Sequence, residues 1–197
     1  MGKKGMIGLV LGIVVVVLVA MGLFMNGWVT GYVQYTLTDK VDVSYGLWGF
    51  TNTADGETES FSYSDDDMKD TEIAKAVGTP RMLILVGLIL MILMIVLGFL
   101  AMQGKMPGKL ALLLGILGGL LLLIGALWAV GSMKSALQTD LEGAGYELGN
   151  GSMFFITLLA AIMAFVAGAM VKSLGKAKEP AAMPPPPAMA PGQPPAY

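Results

Sequence analysis

Four long apolar runs without a single Asp, Glu, Lys or Arg constrain the fold of this chain more than any other feature. They cover residues 6–27, 82–102, 110–130 and 153–171. A helix needs about 20 apolar residues to cross the hydrocarbon core of a bilayer, and each run is close to that length. The sequence therefore predicts a membrane protein whose four spans form an all-α bundle, left-handed as most such bundles are.

The charges in the connecting segments predict how the spans are oriented. The N-terminus, the connector after the second span and the tail hold seven basic residues and one acidic residue, whereas the other segments hold five basic and thirteen acidic residues. Short cytoplasmic segments carry the excess of Lys and Arg. We therefore expect a multi-pass protein of the plasma membrane with both termini in the cytoplasm and two outer loops, 28–81 and 131–152.

Small residues spaced four apart predict where the spans approach each other closely. Lipid gives helices no hydrophobic reason to associate, so close packing through Gly and Ala takes its place. The candidate faces are Gly8 with Gly12, Gly115 with Gly119, and Ala160, Ala164 and Gly168.

Several functional classes are disfavoured by residues that the chain lacks. Ion and proton pathways usually contain ionisable residues within the membrane, and the four runs contain none. The whole chain also lacks Cys and His, which argues against thiol chemistry, His-based catalysis and most zinc sites. We expect no catalytic residue, cofactor, metal site or nucleic-acid partner.

The first outer loop contains patterns typical of β-strands. Residues 31–38 are rich in aromatic and β-branched types, Val41, Val43 and Tyr45 alternate with polar residues, and Phe61 and Tyr63 alternate with serines. We interpret 51–60 as a turn and 70–77 as a short helix. An antiparallel sheet with its apolar face on the outer end of the bundle would explain this pattern, with Trp28 and Trp48 filling the seam.

The loops also resemble those of a known family, the claudins. The positions that carry the resemblance are Trp28, Gly46, Leu47, Trp48 and Arg81 in the first loop and Tyr146, Glu147, Leu148 and Gly149 directly before the fourth span. The resemblance covers most of residues 1–172. It implies the claudin-like tetraspan fold, found also in PMP22-type proteins and channel gamma subunits, with a small antiparallel sheet built by the outer loops.

One departure from the claudin pattern marks the chain as a divergent member. Claudins carry a Cys pair after the Gly-Leu-Trp motif, whereas this chain has Thr51 and the region around Phe61 at the nearby positions. We expect the sheet to persist without its disulfide. For Arg81 the resemblance suggests a structural partner in the outer loops, with Glu147 as a candidate; the alternative is an interfacial anchor that reaches toward the headgroups.

The function implied by the resemblance is lateral or cell–cell association through the outer sheet, without enzymatic activity. The alternative is an accessory subunit of an ion channel or membrane enzyme complex. The expected partners are membrane lipid and either further copies of the chain or another membrane protein.

Two further segments allow more than one interpretation. The acidic residues of the first loop could bind Ca²⁺ or, as in claudins, favour cations, but a solvated, self-repelling surface is the commoner meaning of such a run. The tail, 173–197, is rich in proline and is expected to be disordered. Its end contains Pro194, Pro195 and Tyr197, which resemble a ligand of polyproline-binding domains, although a plain flexible tail has the same composition.

Overall fold

Four long helices, one short helix and a five-stranded sheet make up the computed structural model, which describes residues 3–34 and 40–174. The helices are α1 (Lys3–Phe24), α2 (Glu72–Ala76), α3 (Gly78–Met102), α4 (Gly108–Asp140) and α5 (Ser152–Val171). The strands are β1 (Val29–Gln34), β2 (Lys40–Tyr45), β3 (Gly49–Ala54), β4 (Glu57–Ser62) and β5 (Gly145–Asn150). In this described part of the chain, four helical segments are long and apolar enough to cross a membrane, which confirms the predicted spans.

The bundle is a closed ring in which each long helix packs on two neighbours. Helix α1 contacts α3 and α5, and α4 contacts the same two helices. Glycine allows the closest approaches: a Cβ on Gly115 would lie 2.7 Å from the Cα of Gly168, and one on Gly8 would lie 2.7 Å from the Cβ of Met170. The predicted small-residue faces thus lie between helices, while the handedness of the bundle stays a prediction.

The two ends of the described chain lie at the same end of the bundle. Gly5 is packed against the side chain of Leu174, and Gly108, at the start of α4, is packed against the backbone carbonyl of the same residue. The sheet occupies the opposite end. This agrees with an even number of spans, and the assignment of the first end to the cytoplasm stays a prediction.

All neighbouring strands in the sheet are antiparallel, in the order β4-β3-β2-β1-β5. The first loop supplies four strands, and the second adds β5 beside β1. Val43 and Tyr45 are buried while Asp42 is exposed, so the predicted alternation along β2 is present. On β1, Val29 lies opposite Tyr45 and Val33 lies opposite Val41; both valines are buried and belong to the same apolar face of the sheet.

The stretch 51–60, interpreted from sequence as a turn, is instead most of a β-hairpin. Strands β3 and β4 pair from Gly49 with Ser62 to Ala54 with Glu57, and the turn itself is only Asp55-Gly56. Both residues have positive φ, 51° and 83°, as a two-residue type I′ turn requires. Asp-Gly is a strong sequence signal for this turn. The acidic residues on either side of it led to the interpretation of the whole stretch as a turn, although they belong to two strands.

The third span also continues beyond its predicted end. Helix α4 runs to Asp140, so the first ten residues of the second outer loop, 131–140, are helical. The extension has an apolar stripe, Met133, Ala136 and Leu137, which is buried. Its polar groups hold α2: the Ile73 amide donates to Asp140 Oδ2 at 3.3 Å, and Ser132 Oγ donates to the Ala76 carbonyl at 3.2 Å.

Helix α2 confirms the short helix expected over 70–77. It starts after Thr71, whose hydroxyl accepts a hydrogen bond from the Ala74 amide at 3.3 Å. Other expectations lie outside the described residues: the part of the first strand over 35–38, and the tail from residue 175 with its Pro194, Pro195 and Tyr197 motif.

Candidate functional site

The junction between sheet and bundle is built around Trp28, whose side chain is 0% exposed. Its indole Nε1 donates to the Gly22 carbonyl in the last turns of α1, at 2.5 Å. Its own amide donates to the Tyr45 carbonyl at 2.8 Å, and its carbonyl accepts from the Gly151 amide at 2.8 Å. One residue therefore connects α1, the end of β2 and the start of α5, as expected for a side chain in the seam.

The Gly46-Leu47-Trp48 motif forms the connection between β2 and β3. The Gly46 amide donates to the Gly49 carbonyl at 2.7 Å, which closes the turn. Leu47 is completely buried and belongs to the same core cluster as Trp28. A Cβ on Gly46 would collide with the side chain of Asn26, which explains the need for glycine at this position.

Trp48 does not fill the seam, contrary to the expectation from sequence. Its side chain is 43% exposed and stacks on Phe24, itself exposed at the end of α1, with 6.3 Å between ring centroids. The motif has room for one inward side chain, and Leu47 takes that place. Trp48 therefore projects to the side of the molecule, where amphipathic rings suit the boundary between membrane and water.

Arg81 lies in the first turn of α3, and its partner is Trp48 rather than Glu147. The guanidinium carbon is 4.2 Å from the centroid of the indole ring, a cation–π contact. Among the described residues, no carboxylate lies within ion-pair distance of Arg81. Glu147 belongs to β5 at one edge of the sheet, whereas Arg81 lies beside the connection that leads into β3, so the proposed pair does not form.

The second-loop motif, Tyr146 to Gly149, forms the core of β5. Glu147 lies opposite Tyr32 and Leu148 opposite Gly31 in the ladder with β1. This pairing joins the two outer loops into one sheet, which gives the motif a structural role. It also shows why Gly31 matters, because a Cβ there would collide with the Glu147 carbonyl.

An aromatic cluster lies in the region where the claudin resemblance implies a disulfide. Phe50 and Phe61 lie opposite each other on β3 and β4, with ring centroids 4.9 Å apart. Tyr45 stacks on Phe50 from β2 at 5.3 Å, and Tyr63 approaches Phe50 at 6.1 Å. Directly opposed aromatic pairs stabilise an antiparallel ladder, so three strands are held together by packing instead of a covalent bond.

Gly31 and Asp140 also contribute to the junction, and neither was predicted from sequence to do so. A lone glycine within a strand pattern indicates a close backbone approach, and this signal was available for Gly31. Asp140 had no comparable signal, since its bond to α2 depends on the unexpected length of α4. Tyr63, expected within a strand, instead follows the end of β4 directly and is buried.

Tyr63 has a buried hydroxyl that has no hydrogen-bond partner among the described residues. Burial raises the pKa of this hydroxyl well above its usual range, and the nearby Tyr45 and Asp140 raise the pKa further. The folded state therefore favours the neutral phenol. The stability that the neutral phenol contributes is fully present below the unfolded-state pKa of about 10. It is lost as the pH rises above that value.

We expect Tyr63→Phe to remove this alkaline sensitivity. At pH 7 its unfolding free energy should equal that of the wild type or exceed it by about 1 kcal/mol, since an unpaired buried hydroxyl is costly. Above pH 10 the unfolding free energy of the variant should exceed that of the wild type, and the difference should grow by about 1.4 kcal/mol per pH unit. Unfolding in detergent between pH 7 and 11 measures both values, with the half-buried Tyr32→Phe as control. Parallel curves for wild type and Tyr63→Phe would contradict the assignment.

The acidic residues of the first loop are mostly exposed. Two of them form surface ion pairs: Asp66 with Lys69 at 2.8 Å and Glu72 with Lys75 at 2.9 Å. Exposed pairs of this kind contribute little to stability. In the described part of the chain, no group of three or more Asp or Glu side chains is arranged to hold a metal ion.

Comparison with known proteins gives one clear result. No curated protein matches the chain. A sequence model of the PMP-22/EMP/MP20/Claudin family does match, over residues 6–171, which includes all four spans and both outer loops. The match agrees with the joined sheet and the four-helix bundle. The chain therefore belongs to the PMP-22/EMP/MP20/Claudin family.

Proposed function

We propose that this claudin-like membrane protein acts by association with further copies of itself through its outer sheet, without catalysing a reaction. The observation that supports this most directly is the pair of open sheet edges. Within the described residues, β4 pairs only with β3, and β5 pairs only with β1. An open edge presents unpaired backbone N–H and C=O groups, which can bind a strand of another chain.

The two edges differ in charge, and this difference favours β5 as the contact. Strand β4 exposes Glu57 and Glu59 directly after Asp55 in the turn. Two β4 edges placed side by side would bring these carboxylates together, which is destabilising. Strand β5 is exposed along most of its length and carries a single acid, Glu147.

The absence of cysteine from the sequence provides a direct test of this proposal. Glu147→Cys on β5 introduces the only thiol of the chain, so no disulfide can form within one copy. In native membranes under mild oxidation, we expect a product of twice the monomer mass. The matched control is Lys105→Cys, an exposed position in the connector at the opposite end of the bundle, which should stay monomeric.

The outcomes separate the proposal from its alternatives. Thr58→Cys on β4 should give little disulfide-linked dimer. A high yield of dimer from this variant would show that the copies associate through β4 instead. Mixing two separately tagged cell populations distinguishes cell–cell association from lateral association. Equal cross-linking at Glu147→Cys and Lys105→Cys would reflect random collision and would count against association through the sheet.

The second candidate function is that of an accessory subunit in a channel or membrane enzyme complex. It is favoured by a polar groove of about 390 Å³ between α2 and the extension of α4. Hydroxyls of Ser132, Ser135 and Thr139 line one side, and Glu72 and Lys75 line the other. In the same cross-linking experiment with Ser135→Cys, a product with a foreign protein in constant proportion would favour this function.

We further propose that the protein resides in the plasma membrane with its termini in the cytoplasm, as the charge bias indicates. Membrane lipid then surrounds the four helices. A polyproline-binding partner of the Pro194, Pro195 and Tyr197 motif stays a prediction, because these residues lie outside the described chain.

A further inference from the structure

We propose that a cavity at the outer end of α3 binds a phosphate group. The cavity has a volume of about 240 Å³ and lies between the end of β4, the segment that leads to α2, and the first turn of α3. Its lining contains two cations, two serine hydroxyls and two aromatic side chains. These residues are Arg81, Lys69, Ser62, Ser64, Tyr63 and Trp48.

Arg81 supplies the strongest binding group in the cavity. Its guanidinium carbon lies over the Trp48 ring, 4.2 Å from the ring centroid. Within the described part of the chain, no carboxylate neutralises it. A guanidinium presents its N–H donors as a planar fork, and such a fork matches two oxygens of a phosphate.

Lys69 adds a second cation that can be redirected to a ligand. Its Nζ bonds Asp66 at 2.8 Å, but the Asp66 side chain is 94% exposed. An ion pair so open to water holds its partners weakly. A phosphate in the cavity could therefore replace Asp66 as the partner of Lys69 without a significant loss.

The hydroxyls complete a polar lining that the protein itself does not fully use. Tyr63 forms part of the wall, but its hydroxyl is closed off from solvent and is not counted among the binding groups. Ser62 Oγ and Ser64 Oγ bond each other at 2.7 Å and retain acceptor or donor capacity. The two serine hydroxyls can therefore bond a ligand oxygen in the cavity.

The position of the cavity relative to the spans suggests two sources for the phosphate. Arg81 lies at the outer start of a membrane-crossing helix, next to the exposed rings of Trp48 and Phe24. Lipid phosphates occupy this height in a bilayer, where Trp is enriched. The phosphodiester of a lipid headgroup and a soluble phosphate share the same recognition chemistry, and the experiment separates them.

The test uses the full chain, purified in detergent and stripped of lipid. Bound phosphatidylglycerol is counted by native mass spectrometry, against diacylglycerol as the same lipid without a phosphate. We expect phosphatidylglycerol to bind at least tenfold more tightly than diacylglycerol. In a second arm, inorganic phosphate is titrated against bound phosphatidylglycerol: displacement at millimolar concentration identifies a site open to soluble phosphate, whereas retention identifies a lipid site.

Variants connect the binding to this cavity. Arg81→Gln should weaken phosphatidylglycerol binding by about tenfold to a hundredfold, the range for a lost charged hydrogen-bond pair. Lys134→Gln, which removes a cation on the outer part of α4, is the matched control and should bind as the wild type does. If Arg81→Gln does not fold, Lys69→Gln and Ser64→Ala decide, and each should weaken binding severalfold while the protein stays folded.

Three results would overturn the proposal. The first is equal binding of phosphatidylglycerol and diacylglycerol, with no binding of inorganic phosphate. The second is unchanged affinity in folded variants of the cavity. The third is an equal loss in Lys134→Gln, which would indicate a general effect of positive charge at the membrane surface.

Discussion

Trp28→Ala is expected to lower the unfolding free energy by about 3–5 kcal/mol, the range for removing a large aromatic side chain from a well-packed interior. The side chain is 0% exposed and touches the last turns of α1. Its loss leaves a cavity at the point where sheet and bundle meet. It also leaves the Gly22 carbonyl without the indole donor, which adds the penalty of an unsatisfied buried group.

Unfolding in mild detergent, followed by circular dichroism, measures this loss. Trp48→Ala is the matched control, because it removes the same side chain from a position that is 43% exposed. Its effect should be about 1–2 kcal/mol, from the lost contacts with Phe24 and Arg81. The loss of unfolding free energy in Trp28→Phe should lie between the losses in the two alanine variants. Equal losses in Trp28→Ala and Trp48→Ala would show that burial of Trp28 in the seam adds no stability.

Gly115→Leu is expected to separate α4 from α5 and to destabilise the bundle by about 3 kcal/mol, the upper range for overpacking. Even a Cβ at this position would lie 2.7 Å from the Cα of Gly168, and backbone atoms cannot move aside as a flexible side chain can. Because the two helices are pressed together over this segment, a larger side chain must shift a whole helix.

Gly131→Leu provides the control within the same helix. Nothing lies within 4 Å of a Cβ at Gly131, so the substitution should be neutral or gain up to about 1 kcal/mol from helix propensity. Thermal unfolding of both variants in one detergent gives the comparison. If Gly115→Leu unfolds at the wild-type temperature, then the close approach of α4 and α5 is not present in the membrane protein.

The spans and the existence of the sheet could be predicted because each follows from a local pattern. A run of about 20 uncharged apolar residues has few alternatives to a membrane helix, and alternation along Val41, Val43 and Tyr45 determines which face of a strand is buried. The burial of Trp28 followed from its place between a span and a strand. These features depend on neighbours in sequence.

The features that were missed depend on competition between side chains or on distant segments. Leu47 and Trp48 are adjacent apolar residues, and only the turn geometry decides which of them points inward. The partner of Arg81 depends on that same decision, since an inward Trp48 would not have reached the guanidinium. The length of α4 is set by the α2 helix and the sheet against which it packs, and no membrane-span rule predicts it.

The stacked pair of Phe50 and Phe61 has a consequence for how the protein matures. A sheet that depends on ring packing and an Asp-Gly turn is complete as soon as its strands meet, without waiting for an oxidant to join them. No reductant can open it afterwards. The outer face of this protein can therefore form in oxidising and in reducing surroundings alike, wherever a membrane accepts its four helices.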